Sequence, residues 1–302
     1  MGLKRFYARL SRAGGFFVEL FMEKFTLVTF YHFVQLENYE DMRDELLSCC
    51  IEKGLKGTVL LALEGINGSV AGHDGEIRDF LDFVRRDERL RGLEWKESYT
   101  NFQPFQEMKV RLKKEIVALG CAELENMEIC ETGEYVEPED WSSLIAREDV
   151  KTIDTRNLYE TKLGRFKYSI DPETINFRDF QEWVRKWIEK DNVSMEQKIA
   201  MYCTGGVRCE KSTAYMKRIG FKNVYQLKGG IINYFLKTKN KDGAWVGDCF
   251  VFDDRVAVNV DLEPIQLKCL ECSCVVNTDD LKNIPRGRVL CSGCGQNTTR
   301  FS

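Results

Sequence analysis

Residues 198–208 read Lys-Ile-Ala-Met-Tyr-Cys-Thr-Gly-Gly-Val-Arg, an apolar run that ends on a cysteine and passes through two glycines to an arginine. The run 198–202 has the length and composition of a buried strand. From Arg208 to about Ile219 the spacing predicts a helix, closed by Gly220 as a left-handed cap. A strand that turns directly into a helix sets Cys203 above the helix N-terminus, where unpaired backbone N–H groups and the positive end of the helix dipole lie. Gly205 and Gly206 let the backbone between Thr204 and Val207 curl so that several N–H groups point inward, and Arg208 adds a fixed positive charge. These surroundings lower a thiol pKa and make the sulfur nucleophilic near neutral pH; the same cradle holds an anion or a terminal sulfur. An inert buried cysteine is the commoner fate of the residue, but it leaves the glycines, the arginine and the helix start unexplained. Cys209 shares a helical stripe with Ser212, Met216 and Ile219, so it reads mainly as a packing residue and secondarily as a resolving thiol.

Around this loop, strands and helices alternate. Residues 150–154 (VKTID) read as a strand followed by Thr155 and Arg156, and Phe177, Phe180, Val184, Trp187 and Ile188 form one stripe of a helix over 177–189. A strand over 223–227 ends at Gly229-Gly230 before another helix. This order implies an α/β domain over 146–245, with a parallel sheet covered on both faces. Upstream, strands at 27–34, 58–63, 66–71 and 93–99 and helices at 38–53 and 74–86 follow a β-α-β-β-α-β order. That order predicts a ferredoxin-like, acylphosphatase-like α+β domain over 25–120. A further strand is expected over 108–119, where Lys109, Arg111 and Lys113 alternate with Val110 and Leu112. Period two puts the three cations on one face, either a solvated exterior or a phosphate-contacting stripe. Residues 121–145 are acidic and aperiodic and read as a linker. Residues 1–24 read as an N-terminal extension whose apolar run is cut short by Glu19, too early for a secretory signal.

The 302 residues suit two medium domains and an appendage. A net charge of -4 and a pI near 5.6 exclude a protein that coats nucleic acid through bulk positive charge, so any such contact needs a local patch. No apolar run approaches the roughly 20 residues that span a bilayer, so a soluble, cytoplasmic protein without membrane contacts is expected. Of the twelve cysteines, five lie in the last 34 residues. Cys269 with Cys272 and Cys291 with Cys294 make two C-x2-C knuckles 18 residues apart. This is the spacing of a four-thiolate zinc site, and zinc would supply the folding energy of a small zinc-ribbon-like segment over 246–302. Cys274 is an additional thiol that competes with Cys272 for the fourth position.

The strand Ile153-Asp154-Thr155-Arg156, then Tyr159-Glu160, Gly164 and the six-residue loop after Tyr202, resemble the rhodanese domain. More narrowly, residues 201–211 (MYCTGGVRCEK), Gly229-Gly230-Ile231 and residues 250–255 (FVFDDR) resemble the rhodanese-domain tRNA uridine hydroxylases. Residues 62–68 (ALEGING) and 108–111 (MKVR) match that family too, so the resemblance spans about 25–255. It departs from the general rhodanese pattern at Arg165, where a histidine often follows the glycine, and position 165 receives no role.

The resemblance implies oxygen-dependent conversion of the wobble uridine of tRNA to 5-hydroxyuridine. Cys203 and Arg208 would be catalytic, residues 204–207 the active-site loop, and Asp154 and Arg156 supporting residues. The partner would be the anticodon loop, and molecular oxygen the co-substrate. A wobble base is unpaired, so it can be splayed into a pocket without breaking a duplex, and Lys109, Arg111 and Lys113 would hold phosphates. There is no dinucleotide fingerprint, and His32 and His73 are the sole histidines, so no organic cofactor is evident. The expected chemistry is addition of the Cys203 thiolate to C6 of uracil, which makes C5 an enolate-like nucleophile toward oxygen. A Cys203 persulfide, and with it a sulfurtransferase, is the alternative. Four residues separate Cys203 from Arg208, one fewer than in the Cys-x5-Arg phosphatases.

Overall fold

The computed structural model describes residues 23–121, 132–269, 271–278 and 290–295. Most of the expected N-terminal extension and part of the expected linker lie outside them.

The first domain runs β1 (Phe25–Phe33), α1 (Tyr39–Glu52), β2 (Lys56–Ala62), β3 (Gly65–Gly72), α2 (Asp74–Val84) and β4 (Glu94–Thr100). The strands stand in the order β4-β1-β3-β2, and β5 (Met108–Leu112) adds a fifth, parallel to β2. The strand expected over 108–119 thus ends at Leu112. Beyond it, Ile116 and Leu119 are buried, Leu119 in a core it shares with the second domain. Alternation divides the sheet into two faces. Val28, Phe30, Val59, Leu61, Val70 and Val110 pack with Ile77 and Phe80 of α2 and Leu46 of α1. Each such buried side chain contributes on the order of 1.5–3 kcal/mol. The opposite face is polar: in register across all five strands stand Lys96, Thr29, Ser69, Thr58 and Lys109, and beside them Glu94, Tyr31, Asn67, Leu60 and Arg111.

The second domain contains β6 (Glu134–Val136), α3 (Pro138–Ile145), β7 (Val150–Asp154), α4 (Leu158–Thr161), β8 (Gly164–Phe166), α5 (Phe180–Asp191), β9 (Lys198–Tyr202), α6 (Val207–Arg218), β10 (Val224–Leu227) and α7 (Gly230–Thr238). Strands β6-β10-β9-β7 form a parallel sheet in that order. The central strand β9 is buried on both sides: Ala200 and Tyr202 face Trp141, Phe166 and Tyr234, while Ile199 and Met201 face Phe180, Val184 and Met216. Helices on both faces of parallel strands have this consequence.

Two expected boundaries shift. Residues 134–145, read as part of a linker, supply the edge strand β6 and helix α3. The strand is three residues long, with Glu134 and Tyr135 exposed, so it carries no apolar run to announce it. At the other end, β11 (Trp245–Gly247) pairs with β8, and β12 (Cys249–Phe250) and β13 (Ala257–Val258) begin a sheet continued by β14 (Pro264–Lys268) and β15 (Val275–Asn277). Cys249, Val251, Val258 and Leu262 enter the Phe166 core, so this stretch belongs to the second domain and not to a separate tail. It also grips the first domain: Arg255, ion-paired to Asp253 at 2.8 Å, reaches Ser98 Oγ, and the Asp254 N–H donates to Pro104 O at 2.9 Å. Among the described residues no helix is long and apolar enough to cross a membrane.

Candidate active site

The loop after β9 curls as expected, but through one of its two glycines. Gly206 has φ +99°, and its N–H donates to Cys203 Sγ at 3.1 Å. Gly205 has no positive φ, and a Cβ there would meet nothing within 4 Å. The further conformational demand falls on Gly229 and Gly230, at φ +72° and +69°. They start α7 so close to the loop that a Cβ on Gly230 would lie 2.5 Å from Cys203 O. The N–H groups of Ile231 and Ile232 consequently donate to the carbonyls of Cys203 and Thr204 at 3.0 and 3.1 Å.

Cys203 is fully buried. Burial alone would raise its pKa. The Cys209 thiol, the Arg208 guanidinium and the N–H groups of Cys209 and Arg208 outweigh it and hold Cys203 at about 5. Cys209 is pushed well up, by burial and then by the neighbouring thiolate. The pair therefore consists of one thiolate and one thiol that donates to it, a role the packing reading of Cys209 did not contain. Thr155 backs Cys209 at 3.8 Å and fixes the strand end by donating from Oγ1 to Tyr202 O at 3.0 Å.

Arg208 is not a free cation. Its guanidinium makes a two-pronged pair with Glu160, Nη1 to Oε2 at 2.6 Å and Nη2 to Oε1 at 2.7 Å, and Thr204 Oγ1 donates to the same carboxylate at 3.1 Å. Glu160 in turn closes the capping box of α4 on Asn157. Its burial favours the neutral acid, but Arg208 overrides this and keeps it ionised. Asp154 and Arg156 form a second, fully buried pair at 2.6 Å, with Arg156 also donating to Gly164 O at 2.6 Å and lying 5.2 Å from the Trp245 ring centroid. That pair ties β7 to β8 beneath the loop.

The polar sheet face of the first domain closes over the loop. Lys96 Nζ donates to Gly205 O at 2.9 Å and lies 5.2 Å from the Tyr31 ring centroid. Tyr31 Oη donates to Glu210 Oε1 at 2.9 Å, and Tyr135 binds the other carboxylate oxygen at 2.9 Å. Burial pulls the Lys96 ammonium down to about 8, against the upward effect of the Cys203 thiolate and Glu210. Lys211 locks the seam by pairing with Glu64 at 2.7 Å and Glu115 at 2.6 Å. Reading the sequence assigned no site role to Lys96, Tyr31, Glu160 or Glu210, although the last two lie in the motifs that carry the resemblance. For Lys96 and Tyr31 the one available signal was period two, which puts both on the face of the sheet without helices.

Of the alternating cations, Lys109 and Arg111 occupy that same polar face, Arg111 exposed and Lys109 paired with Glu107. Lys113 is exposed just past the end of β5. Lys109 ends the cross-strand row that begins at Lys96, four strand spacings or about 19 Å away.

At the C-terminal end, the sulfurs of Cys269, Cys272, Cys291 and Cys294 lie within 4.8 Å of one another. Cys272 and Cys291 are 3.7 Å apart, and the Cys291 N–H donates to Cys269 Sγ at 3.4 Å. A tetrahedral ion with metal–sulfur bonds of about 2.3 Å separates its ligands by about 3.8 Å, so the cluster fits a metal of that kind. Cys274 is exposed and outside the group of four.

Two family models match the chain. Residues 25–116 match the UPF0176 acylphosphatase like domain, and residues 137–236 match the Rhodanese-like domain. Among similar curated proteins, a tRNA uridine(34) hydroxylase of Wolbachia pipientis subsp. Culex pipiens (strain wPip) is 54% identical over 271 residues, covering 89% of this chain and 94% of the relative. One of the same name from Anaplasma marginale (strain Florida) is 46% identical over 272 residues, covering 89% and 96%. Another, from Ehrlichia chaffeensis (strain ATCC CRL-10679 / Arkansas), is 47% identical over 274 residues, covering 90% and 98%.

Proposed function

Because the chain belongs to the tRNA uridine(34) hydroxylase family, we propose that it hydroxylates the wobble uridine of tRNA at C5, with the Cys203 thiolate activating the base. The observation that carries the chemistry is a fully buried sulfur that accepts the Gly206 N–H at 3.1 Å, in a loop capped by an ammonium group supplied by the other domain. The thiolate adds to C6 of uracil, forming an S–C6 bond, and the C5=C6 electron pair moves toward O4 as an enolate. Lys96 is the cation positioned to stabilise that oxyanion, an interaction worth far more in a water-excluded site than in water. C5 then attacks molecular oxygen. One oxygen atom stays as the 5-hydroxyl and the other leaves as water, with two electrons from an external reductant. Loss of the C5 proton and expulsion of the thiolate restore the ring.

Full burial of Cys203 means that the base must displace a side chain to reach it. Lys96, a flexible chain lying over Gly229, is the group that moves. The anticodon loop is the RNA element presented, the reaction is cytoplasmic, and Lys109, Arg111 and Lys113 contact phosphates. Zinc held by Cys269, Cys272, Cys291 and Cys294 is structural and takes no part in the reaction. Less than half an equivalent in freshly purified reduced protein would refute that assignment.

An anticodon stem-loop bearing 5-fluorouridine at the wobble position tests the mechanism. Fluorine blocks loss of the C5 substituent, so mass spectrometry should find the RNA on Cys203; a protein that turns over tRNA yet gives no adduct would refute addition at C6. Fast, cysteine-dependent sulfur transfer from thiosulfate to cyanide, with unchanged 5-hydroxyuridine in cells lacking the gene, would favour a sulfurtransferase instead.

A further inference from the structure

Three aromatic rings stand beside the loop without a part in the chemistry above. Tyr159 and Phe250 pack edge to face at 5.1 Å and 76°, and Phe250 and Phe252 at 5.2 Å and 80°. Two of them face solvent, Tyr159 at 47% and Phe252 at 59% exposure. A phenyl group left in water forgoes roughly 1.5–3 kcal/mol of burial, and Phe252 has no freedom to turn inward. Its neighbours Val251 and Asp253 are buried, Asp253 is ion-paired to Arg255, and Asp254 is bonded to Pro104.

The cluster is continuous with the reactive loop. The Arg208 guanidinium lies 5.8 Å from the Phe252 ring centroid, and the ring remains mostly exposed to solvent. Tyr159 immediately precedes Glu160, which holds both Arg208 and Thr204. Lys162, three residues past Tyr159 and therefore on the same side of the single-turn helix α4, is exposed. Flat apolar faces with a nearby cation match a strand of nucleic acid whose bases are unpaired.

We propose that Tyr159, Phe250 and Phe252 form a stacking platform for the unpaired nucleobases that flank the target uridine, an inference that rests on tRNA being the substrate. Drawing one base out of a single-stranded loop robs its neighbours of a stacking partner, and the exposed ring faces replace it. Every base presents a π face, so the platform tolerates different neighbours and takes loops of varied sequence.

The test measures binding and 5-hydroxyuridine formation by the full chain, using an anticodon stem-loop and the same stem-loop with an abasic nucleotide beside the target uridine. Phe252→Ala and Tyr159→Ala each weaken binding of the intact loop roughly 5- to 150-fold, the equivalent of about 1–3 kcal/mol per stacked base. Phe252→Leu, which keeps apolar bulk without a π face, behaves like Phe252→Ala, and Phe252→Trp restores binding. Wild-type protein binds the abasic loop as weakly as the alanine variants bind the intact one, and the variants lose nothing further on it, a pattern that a merely structural role would not produce. If wild-type protein hydroxylates the loop but binds intact and abasic RNA within twofold of each other, the platform is refuted; this arm needs no variant to fold. A wild-type protein that hydroxylates neither RNA nor whole tRNA refutes instead the substrate on which the platform depends.

Discussion

The two cysteine centres of this chain surround their sulfurs in different ways. At Cys203 the protein supplies the compensation itself, with the Gly206 N–H at 3.1 Å, the Cys209 thiol, and the Arg208 guanidinium borrowed from Glu160. At the C-terminal knuckles four sulfurs crowd within 4.8 Å, and thiolates so close repel one another unless a divalent ion joins them. A thiolate that must react needs partners that leave its lone pairs usable. One that must hold a chain together is best consumed by a metal. Burial follows this division only in part: Cys203 is enclosed, whereas the knuckles range from buried Cys269 to exposed Cys272.

Replacing the two sulfurs in turn should draw the sharpest contrast. Cys203→Ser should cut 5-hydroxyuridine formation at least about 1,000-fold, read by mass spectrometry of tRNA, with unfolding free energy changed by under about 1 kcal/mol. Cys272→Ser should do the reverse, sparing chemistry and lowering metal content. The next largest effect concerns the borrowed guanidinium. Arg208→Ala strands the Glu160 carboxylate in the interior, costing about 3–5 kcal/mol in urea denaturation. It should also move the ultraviolet thiolate titration of Cys203 upward from about 5; an unmoved titration would mean that Arg208 is purely architectural.

A smaller effect is the pH profile. Protonation removes the thiolate as pH falls through about 5, and deprotonation removes the Lys96 charge as pH rises through about 8, so the single-turnover rate should be bell-shaped between them. Lys96→Met should slow the reaction about 10- to 1,000-fold and abolish the alkaline limb. A limb that persists in the variant belongs to another group. The least effect is expected from chelation, which should expose the residues around the knuckles to protease while leaving hydroxylation within about twofold, because the apolar core holds the rest of the second domain together.

What could be read from the sequence was what lies close along the chain. The helix and strand order of the first domain, and the elements β7, α5, β9, α6, β10 and α7 of the second, followed from periodicity, and the reactive loop was legible because cysteine, glycine and arginine fall within six residues of a strand end. The rest of the site is built from distant pairs: Lys96 with Gly205 across 109 positions, Tyr31 with Glu210 across 179, and Arg208 with Glu160 across 48. A charged residue on a strand or helix looks the same in sequence whether it faces water or a second domain, so periodicity gave Glu210 and Lys211 no partner. Strand β6 stayed hidden for a different reason: at the edge of a sheet, three residues bond through their backbone and need no apolar side chains.

Tyr31 and Lys96 grow from one folding unit and rest on Gly206 and Gly205 of the other. The reagent is therefore assembled at a joint, and its quality depends on how true that joint is. Melting temperature reports on the cores and is blind to a tilt of half an ångström between them. A variant with both halves intact and the joint slightly open would pass every test of folding and still be a silent enzyme.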